Sequence, residues 1–577
     1  MHSASDPSAV PFANPTVKIR HLAWLLTPAA LCPSLGAKEI ADPAWRYTLR
    51  KPTAGWQQPG FDDSAWKEGH GGFGERTTPG SRVSTDWTTK NIWLRRAVEL
   101  DPLPRKPALL IYHDEDAEVF INGRLVRRCK GFVTEYKVVE LEGEARRAVK
   151  AGANLLAVHC RQTTGGQAID VHLIDAEDVP ELPAPKRPEH PFRSELVTEW
   201  GEKVTPENAW REYPRPQFAR EKWNSLNGHW DYAITPKEAP RPSQWDGKIL
   251  VPYPLESKLS GVRRLLHDHQ ALWYRRPIGA RPDGDGRVLL NFEACDYRTS
   301  VWINNTKVGD HTGGNTPFQF DITRALSGDG GDYLIVRVED RTGGYQLRGK
   351  QTDNPRGIWY TQVSGIWGSV WTEHVPATYV RHLRMSPEID GMVTLEIELA
   401  GEERNDLLAE ITASLDGTQV ASSTVKGFGH DIANIELEIP NPKLWSPESP
   451  TLYDLQIRVG DDVAKSYIGL REVGKEQDAN GHWRFTLNGE EIFHWGPLDQ
   501  GWWPDGLLTP PSDAAMRWDV DFLKAAGFNM IRKHIKIEPR RFYSYCDQIG
   551  MLVWQDQPSA GNNPKWTRLQ PDPQDAD

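Results

Sequence analysis

Asn529–Pro558 reads NMIRKHIKIEPRRFYSYCDQIGMLVWQDQP, and its pattern decides the architecture of the C-terminal part of the chain. The apolar run FNMIRKH predicts a strand. Pro539 opens a helix with Phe542, Cys546 and Ile549 on one face, and Gly550 ends it. MLVWQD then predicts a second strand. Just upstream, Ser512 is placed to cap another helix whose apolar positions Met516, Val520 and Leu523 recur at helical spacing, with Gly527 at its end. Before that, FTLNGEEIFHWG predicts a hairpin turning on Asn488-Gly489. Strand–helix–strand–helix–strand with short loops means parallel β/α units.

From Ile492 to Asp577 there are 86 residues, whereas an eightfold β/α barrel takes about 250. They supply about three of the eight strands. The expectation is a barrel entered but not completed, so that the chain reads as the N-terminal part of a longer protein.

Function in such a barrel gathers at the carboxyl ends of the strands. Those ends carry Asp499 and Gln500, then Arg532, Lys533 and His534, then Trp554, Gln555 and Asp556. Polar and charged groups closing apolar strands suit a hydroxylated ligand, and Trp502, Trp503 or Trp554 offers a flat floor for a sugar ring. Strand ends are also polar simply because they exit to water.

The rest of the 577 residues reads as β-structure. LLIYHDEDAEVFINGRLV (109–126) and VLLNFEACDYRTSVWINNTKV (288–308) repeat one plan: an apolar strand, an acidic break, and an alternating strand ending in Asn122-Gly123 or Asn304-Asn305. Two copies of an antiparallel sandwich follow, separated by the linker-like PELPAPKRPEHPF. From about Tyr379, VTLEIEL, AEITASL, IANIELEI and LYDLQIRV alternate strictly, as in an immunoglobulin-like sandwich.

Net charge is −11 and the pI about 5.9, with no long basic run, which excludes nucleic acid as the natural partner. The 24 Trp serve either as core filler or as sugar platforms. Five scattered cysteines show no metal-binding spacing, and Cys129–Cys160 is one conceivable bridge. Lys18 and Arg20 precede the apolar LAWLLTPAAL and the small residues Ser34–Ala37, the order of a secretory signal. That run is too short to span a bilayer, so an exported protein without a transmembrane segment is expected.

Five ordered motifs carry a family resemblance: LWYRRPI (272–278), DYRTSVWINNTKVGDHTGGNTPFQFDIT (296–323), SGIWGSVW (364–371), PKLWSPESPTLY (442–453) and RFTLNGEEIFHWG (484–496). From about Ser194 onward the chain resembles the front two-thirds of glycoside hydrolase family 2, which includes β-galactosidases, β-glucuronidases and β-mannosidases. The resemblance implies a retaining mechanism, with one Glu as acid/base and a second as nucleophile. In the family these follow barrel strands four and seven, which are not expected here. Glu490 and Glu491 lie in the entry hairpin and Glu538 precedes a helix, so none is a candidate, and the chain by itself is expected to be inactive. Arg532 resembles the family Arg that positions the nucleophile. His534 resembles a substrate-contacting His, but the family's Arg-x-x-His spacing is Arg-Lys-His here, leaving Lys533 as a rival. Some family members use Mg²⁺; no ligand set for it is evident in this sequence.

With FDDSAW, GGFGE and IWLRR, beginning at Phe61, Gly71 and Ile92, the N-terminal sandwich resembles a galactose-binding-like domain. The expected organisation is a signal region (1–37), a galactose-binding-like sandwich (38–178), a linker (179–194), a family 2 sugar-binding-like sandwich (195–376), an immunoglobulin-like sandwich (377–475) and an incomplete TIM barrel (476–577). The expected partner is an oligosaccharide, polysaccharide or other β-glycoside. The competing reading is a non-catalytic carbohydrate-binding scaffold of β-sandwich modules.

Overall fold

The computed structural model describes residues 43–559 except 76, 77, 79, 134, 164, 165, 181–195, 344, 345, 354, 356, 402–406 and 427–431. The signal-peptide reading of 1–37 and most of the proline-rich linker lie outside the described residues. The protein is multidomain and mostly β, and it divides into two compact units, Met1–Pro185 and Lys186–Asp577. No helix among the described residues is long and apolar enough to cross a membrane.

In the first unit a six-stranded and a five-stranded sheet share one core, in which Ile92, Leu94, Val119 and Leu156 meet Leu109, Ile111, Ile169 and Val171. The acidic break of the repeat is the point where the chain changes sheets. Pro107–Asp114 belongs to the five-stranded sheet and Asp116–Ile121 to the six-stranded one. Asn122 and Gly123 turn the hairpin with φ of 50° and 82°, which Asn and Gly tolerate. Trp87 and Trp93 are 1% and 8% exposed, so both are core residues rather than ligand platforms. The Cys129–Cys160 bridge does not form: both thiols are free, and Ala117 lies between them as the cross-strand neighbour of each. Two strand spacings, about 9–10 Å, exceed disulfide reach.

The second unit repeats the sheet change. Arg287–Phe292 lies in a four-stranded sheet and Arg298–Ile303 in a six-stranded one, around Trp230, Leu272, Tyr274, Val301 and Val336. Three- and four-stranded sheets follow, closed on Leu395, Ile397, Ile411, Leu437 and Ile457. Tyr453–Val459 alternates buried and exposed residues along its whole length, as period-2 patterning requires.

The strands Leu498–Asp499, Met530–Lys533 and Leu552–Gln555 then form a parallel sheet, crossed over by helices Asp513–Ala525 and Arg540–Ile549. The Ser512 side chain accepts a hydrogen bond from the Ala515 amide, satisfying a first-turn donor. Gly550 ends the second helix at φ 77°. Its missing side chain is also needed sterically, since a Cβ there would lie 2.4 Å from the Pro447 carbonyl oxygen.

Buried charge locks these layers together. Glu373, with no side-chain exposure, accepts two hydrogen bonds from Arg215, one from Arg220, one from Tyr213 and one from the Trp371 indole. Arg220 also grips Asp462 of the neighbouring sandwich through Nε and a terminal nitrogen, at 3.0 and 2.8 Å. Burial opposes the Glu373 charge, but the two arginines outweigh it and hold its carboxyl below the usual range. Removing one partner of such a network strands the others, at a cost of about 3–5 kcal/mol. Arg220→Met is therefore expected to destabilise the second unit by about that amount in urea denaturation followed by tryptophan fluorescence. A change below about 1 kcal/mol, the range of exposed pairs, would contradict the role assigned to the network.

Candidate functional site

The parallel sheet has two rungs at its carboxyl end, and they face opposite ways. Leu498, Arg532 and Trp554 are neighbours in register, as are Asp499, Lys533 and Gln555. The first rung opens outward, with exposures of 47%, 46% and 41%. The second points beneath the helices: Lys533 is 1% exposed and its ammonium lies 4.9 Å from the centre of the Phe542 ring.

Beneath the helices Lys533 is clasped by Asp499 at 2.7 Å and Glu538 at 2.5 Å. Lys536 adds a contact to Glu538 at 2.9 Å and donates to the Gly501 carbonyl. Burial alone would discharge Lys533, yet Glu538 and Asp499 carry its affinity for the proton above the usual lysine value. For Lys536 burial wins, and its pKa falls. Asp519 is pushed up to about 6 by burial and by the charge of Asp499. Gln555 is fully engaged, donating to the Lys536 and Asp556 carbonyls and accepting from the Tyr543 hydroxyl. Asp499, Lys533 and Gln555 thus brace the strand ends from below. Lys533 is the one that departs most from the sequence reading, because consecutive strand residues point to opposite faces.

On the open side Arg532 binds Asp556 through two hydrogen bonds of 3.2 and 3.0 Å, and His534 Nδ1 donates to the same carboxylate at 2.7 Å. Partial burial opposes the Asp556 charge, but Arg532 and His534 override it and lower its pKa. One carboxylate therefore fixes a guanidinium and an imidazole, leaving Arg532 with unused donors toward solvent. Trp554 donates from its indole to His494, 3.0 Å away, and stands edge-on to Phe485. The two rings border a cleft of about 420 Å³ between the entry hairpin and the last strand.

A long loop of the first sandwich in this unit closes one flank. Tyr360 stacks on Trp502 with ring centres 4.4 Å apart, Gly349 donates to the Ser559 carbonyl, and Lys350 donates to Gln500 Oε1 at 3.0 Å. Trp502 therefore has one face covered, while Trp503 lies edge-on to Trp200. Sequence reading missed Lys350 and Tyr360, which lie far upstream of the strand ends, and no local pattern marks either. It also missed Arg540, which binds Glu293 of the same sandwich with contacts down to 2.6 Å and fixes the second helix against it. Among the described residues no group of three or more His, Cys, Asp or Glu side chains is arranged to hold a metal ion.

Residues 378–471 match the family described as "Glycosyl hydrolases family 2". Over that segment the chain is similar to the family 2 glycosyl hydrolases. A β-galactosidase of Thermoanaerobacter pseudethanolicus is 26% identical over 50% of this chain and 39% of its own length. A β-glucuronidase of Felis catus is 25% identical over 60% of this chain and 59% of its own. Among solved structures, the β-glucuronidase of Faecalibacterium prausnitzii aligns with a TM-score of 0.49 at 23% identity, covering 60% of this chain and 61% of that one. The chain spans 27–39% of the length of the three curated relatives with 26–28% identity.

Beneath the flanking loop the chain buries three carboxylates, Glu256, Asp296 and Asp340, each no more than 4% exposed. Their hydrogen-bond partners among the described residues are neutral: Gln351 donates to Asp296, Ser364 and Thr342 to Asp340, and the Ser364 amide to Glu256. Burial, aided by repulsion from Asp340, pushes Glu256 up to about 8. A carboxyl whose folded pKa is raised stabilises the fold fully below its unfolded value and loses that contribution as pH rises through the folded one. The window here runs from about 4.5 to about 8. Glu256→Gln mimics the protonated group, so its stability relative to the parent should rise across this window in thermal unfolding scans. Parallel pH profiles for the two proteins would contradict the burial of an acid there.

Proposed function

We propose that this chain supplies the front of a retaining β-glycosidase active site, with the open strand ends as its sugar-binding wall. In this reading Met530–Lys533 and its neighbours are the first units of an eightfold barrel. Of the two sandwiches in the second unit, the first is the family's sugar-binding-like domain and the second, directly before the β/α units, is immunoglobulin-like, while the first unit is galactose-binding-like. Export through the N-terminal apolar segment belongs to the same proposal, as does an oligosaccharide, polysaccharide or other β-glycoside as substrate.

One observation carries the reading: Arg532, His534 and Asp556 form a fixed polar cluster on the same open side as Trp554. Asp556 holds Arg532 without consuming all its donors and engages only Nδ1 of His534, which leaves guanidinium N–H groups for sugar hydroxyls or for a carboxylate, and Nε2 of His534 for a further hydrogen bond. Trp554 offers an apolar ring edge beside the same strand end. Names of the relatives, β-galactosidase and β-glucuronidase, support a glycosidic substrate without selecting the sugar.

Retaining hydrolysis needs two carboxyl groups about 5–5.5 Å apart across the scissile bond. The strand-end carboxylates described here are otherwise occupied. Asp499 and Glu538 are neutralised under the helices by Lys533, and Asp556 is held by Arg532 and His534. The proposal therefore assigns binding and positioning to this chain and both reactive Glu residues to other parts of the barrel.

The 577-residue chain is accordingly expected to bind methyl β-glycosides but release no chromophore from nitrophenyl β-glycosides. Arg532→Ala should weaken binding about tenfold in calorimetric titration, the worth of a charged hydrogen bond. Turnover by the chain alone, or unaltered binding in Arg532→Ala, would overturn this assignment.

A further inference from the structure

We propose that Lys350, carried by the sandwich rather than by the β/α units, selects glycosides bearing an anionic substituent, a carboxylate or a sulfate ester. The proposal rests on the reading of the strand ends as a sugar site. It starts from a contrast among the cations gathered there. Arg532 is matched by Asp556, Lys533 by Asp499 and Glu538, Lys536 by Glu538, and Arg540 by Glu293. Lys350 instead meets a neutral amide, Gln500 Oε1, and among the described residues no carboxylate pairs with it.

An ammonium has three donors, and one hydrogen bond to Gln500 leaves two without a partner among the described residues. A half-buried cation attracts an anion more strongly than a hydroxyl, because Coulomb attraction between opposite charges adds to the hydrogen bond.

The backbone holds this ammonium in place. Gly349 donates to Ser559, and a Cβ on it would lie 2.6 Å from the Ile535 carbonyl oxygen, so the loop is seated directly on the turn after Met530–Lys533. The Lys350 carbonyl accepts from the Tyr360 amide, and Tyr360 is clamped by Trp502. On the other side Gln351 is buried, donating to Asp296 and accepting from the Val363 amide at 2.7 Å. With both neighbours and its own carbonyl fixed, Lys350 projects from a rigid support toward Gln500. Such support is what selectivity between substrates requires.

Calorimetric titration of the full chain with three ligands tests this: methyl β-D-glucoside, its 6-sulfate, and methyl β-D-glucuronide. At least one anionic glycoside should bind about tenfold tighter than the neutral one, and raising the salt concentration should narrow the gap. The tighter of the two anions identifies the substituent. Lys350→Gln should erase the gap while leaving the melting temperature unchanged, and Lys350→Arg should retain most of it. Equal binding of all three by the parent, or a gap that survives Lys350→Gln, overturns the role of Lys350 and leaves the sugar site standing. If none of the three binds, the sugar-site reading falls and takes this inference with it.

Discussion

The ion cluster around Lys533 sets the geometry of everything above it. A lysine that is 1% exposed stays charged only because Asp499 and Glu538 both reach it, one from the first strand and one from the turn before the second helix. That double grip fixes which way the Met530–Lys533 strand faces. With Lys533 turned under the helices, Arg532 must turn outward, and register carries Leu498 and Trp554 with it. Reversal of this strand would expose two carboxylates and bury a guanidinium without a partner, which the low dielectric of the interior penalises heavily. The open polar face is thus a consequence of the buried charge.

The first sandwich of the second unit flanks the open face of the parallel sheet. Arg540 and Glu293 fasten it to the second helix, and Tyr360 and Lys350 reach from it to Trp502 and Gln500. Below, the clamp of Arg215 and Arg220 on Glu373 and Asp462 joins that sandwich to the next. The arrangement has a rigid floor and a loop that is anchored on several sides, over a set of buried acids that are most stable when protonated. In energetic terms the second unit concentrates its charged groups where segments meet and leaves the centres of its sheets apolar, as the aliphatic cores around Leu272 and Leu395 show.

Much of this was legible from residue patterns. Helix caps at Ser512 and Gly550, the Asn488-Gly489 hairpin and the period-2 strands after Tyr379 are local features, and local chemistry encodes them. The repeat was also readable, because an acidic break between two apolar strands marks where each copy changes sheets. What the strand-end list could not separate was facing. Arg532 and Lys533 are both cations at one strand end, and only their parity on the strand tells them apart; consecutive residues cannot both face a ligand. Lys350 and Tyr360 were invisible for a different reason, since their role arises from packing between segments about 150 residues apart. Glu256 gave no signal either, as a buried acid looks like any surface acid in a sequence.

The proposed sugar site places a glycoside on the open side of the parallel sheet, between Arg532, Trp554 and the Lys350 loop. A crystal structure of the chain soaked with a methyl β-glycoside measures this directly. The account predicts sugar density within hydrogen-bond distance of Arg532 or His534, with Lys533 still buried against Asp499. Density confined to the N-terminal unit, with the Arg532–Asp556 cluster bare at saturating ligand, would contradict it.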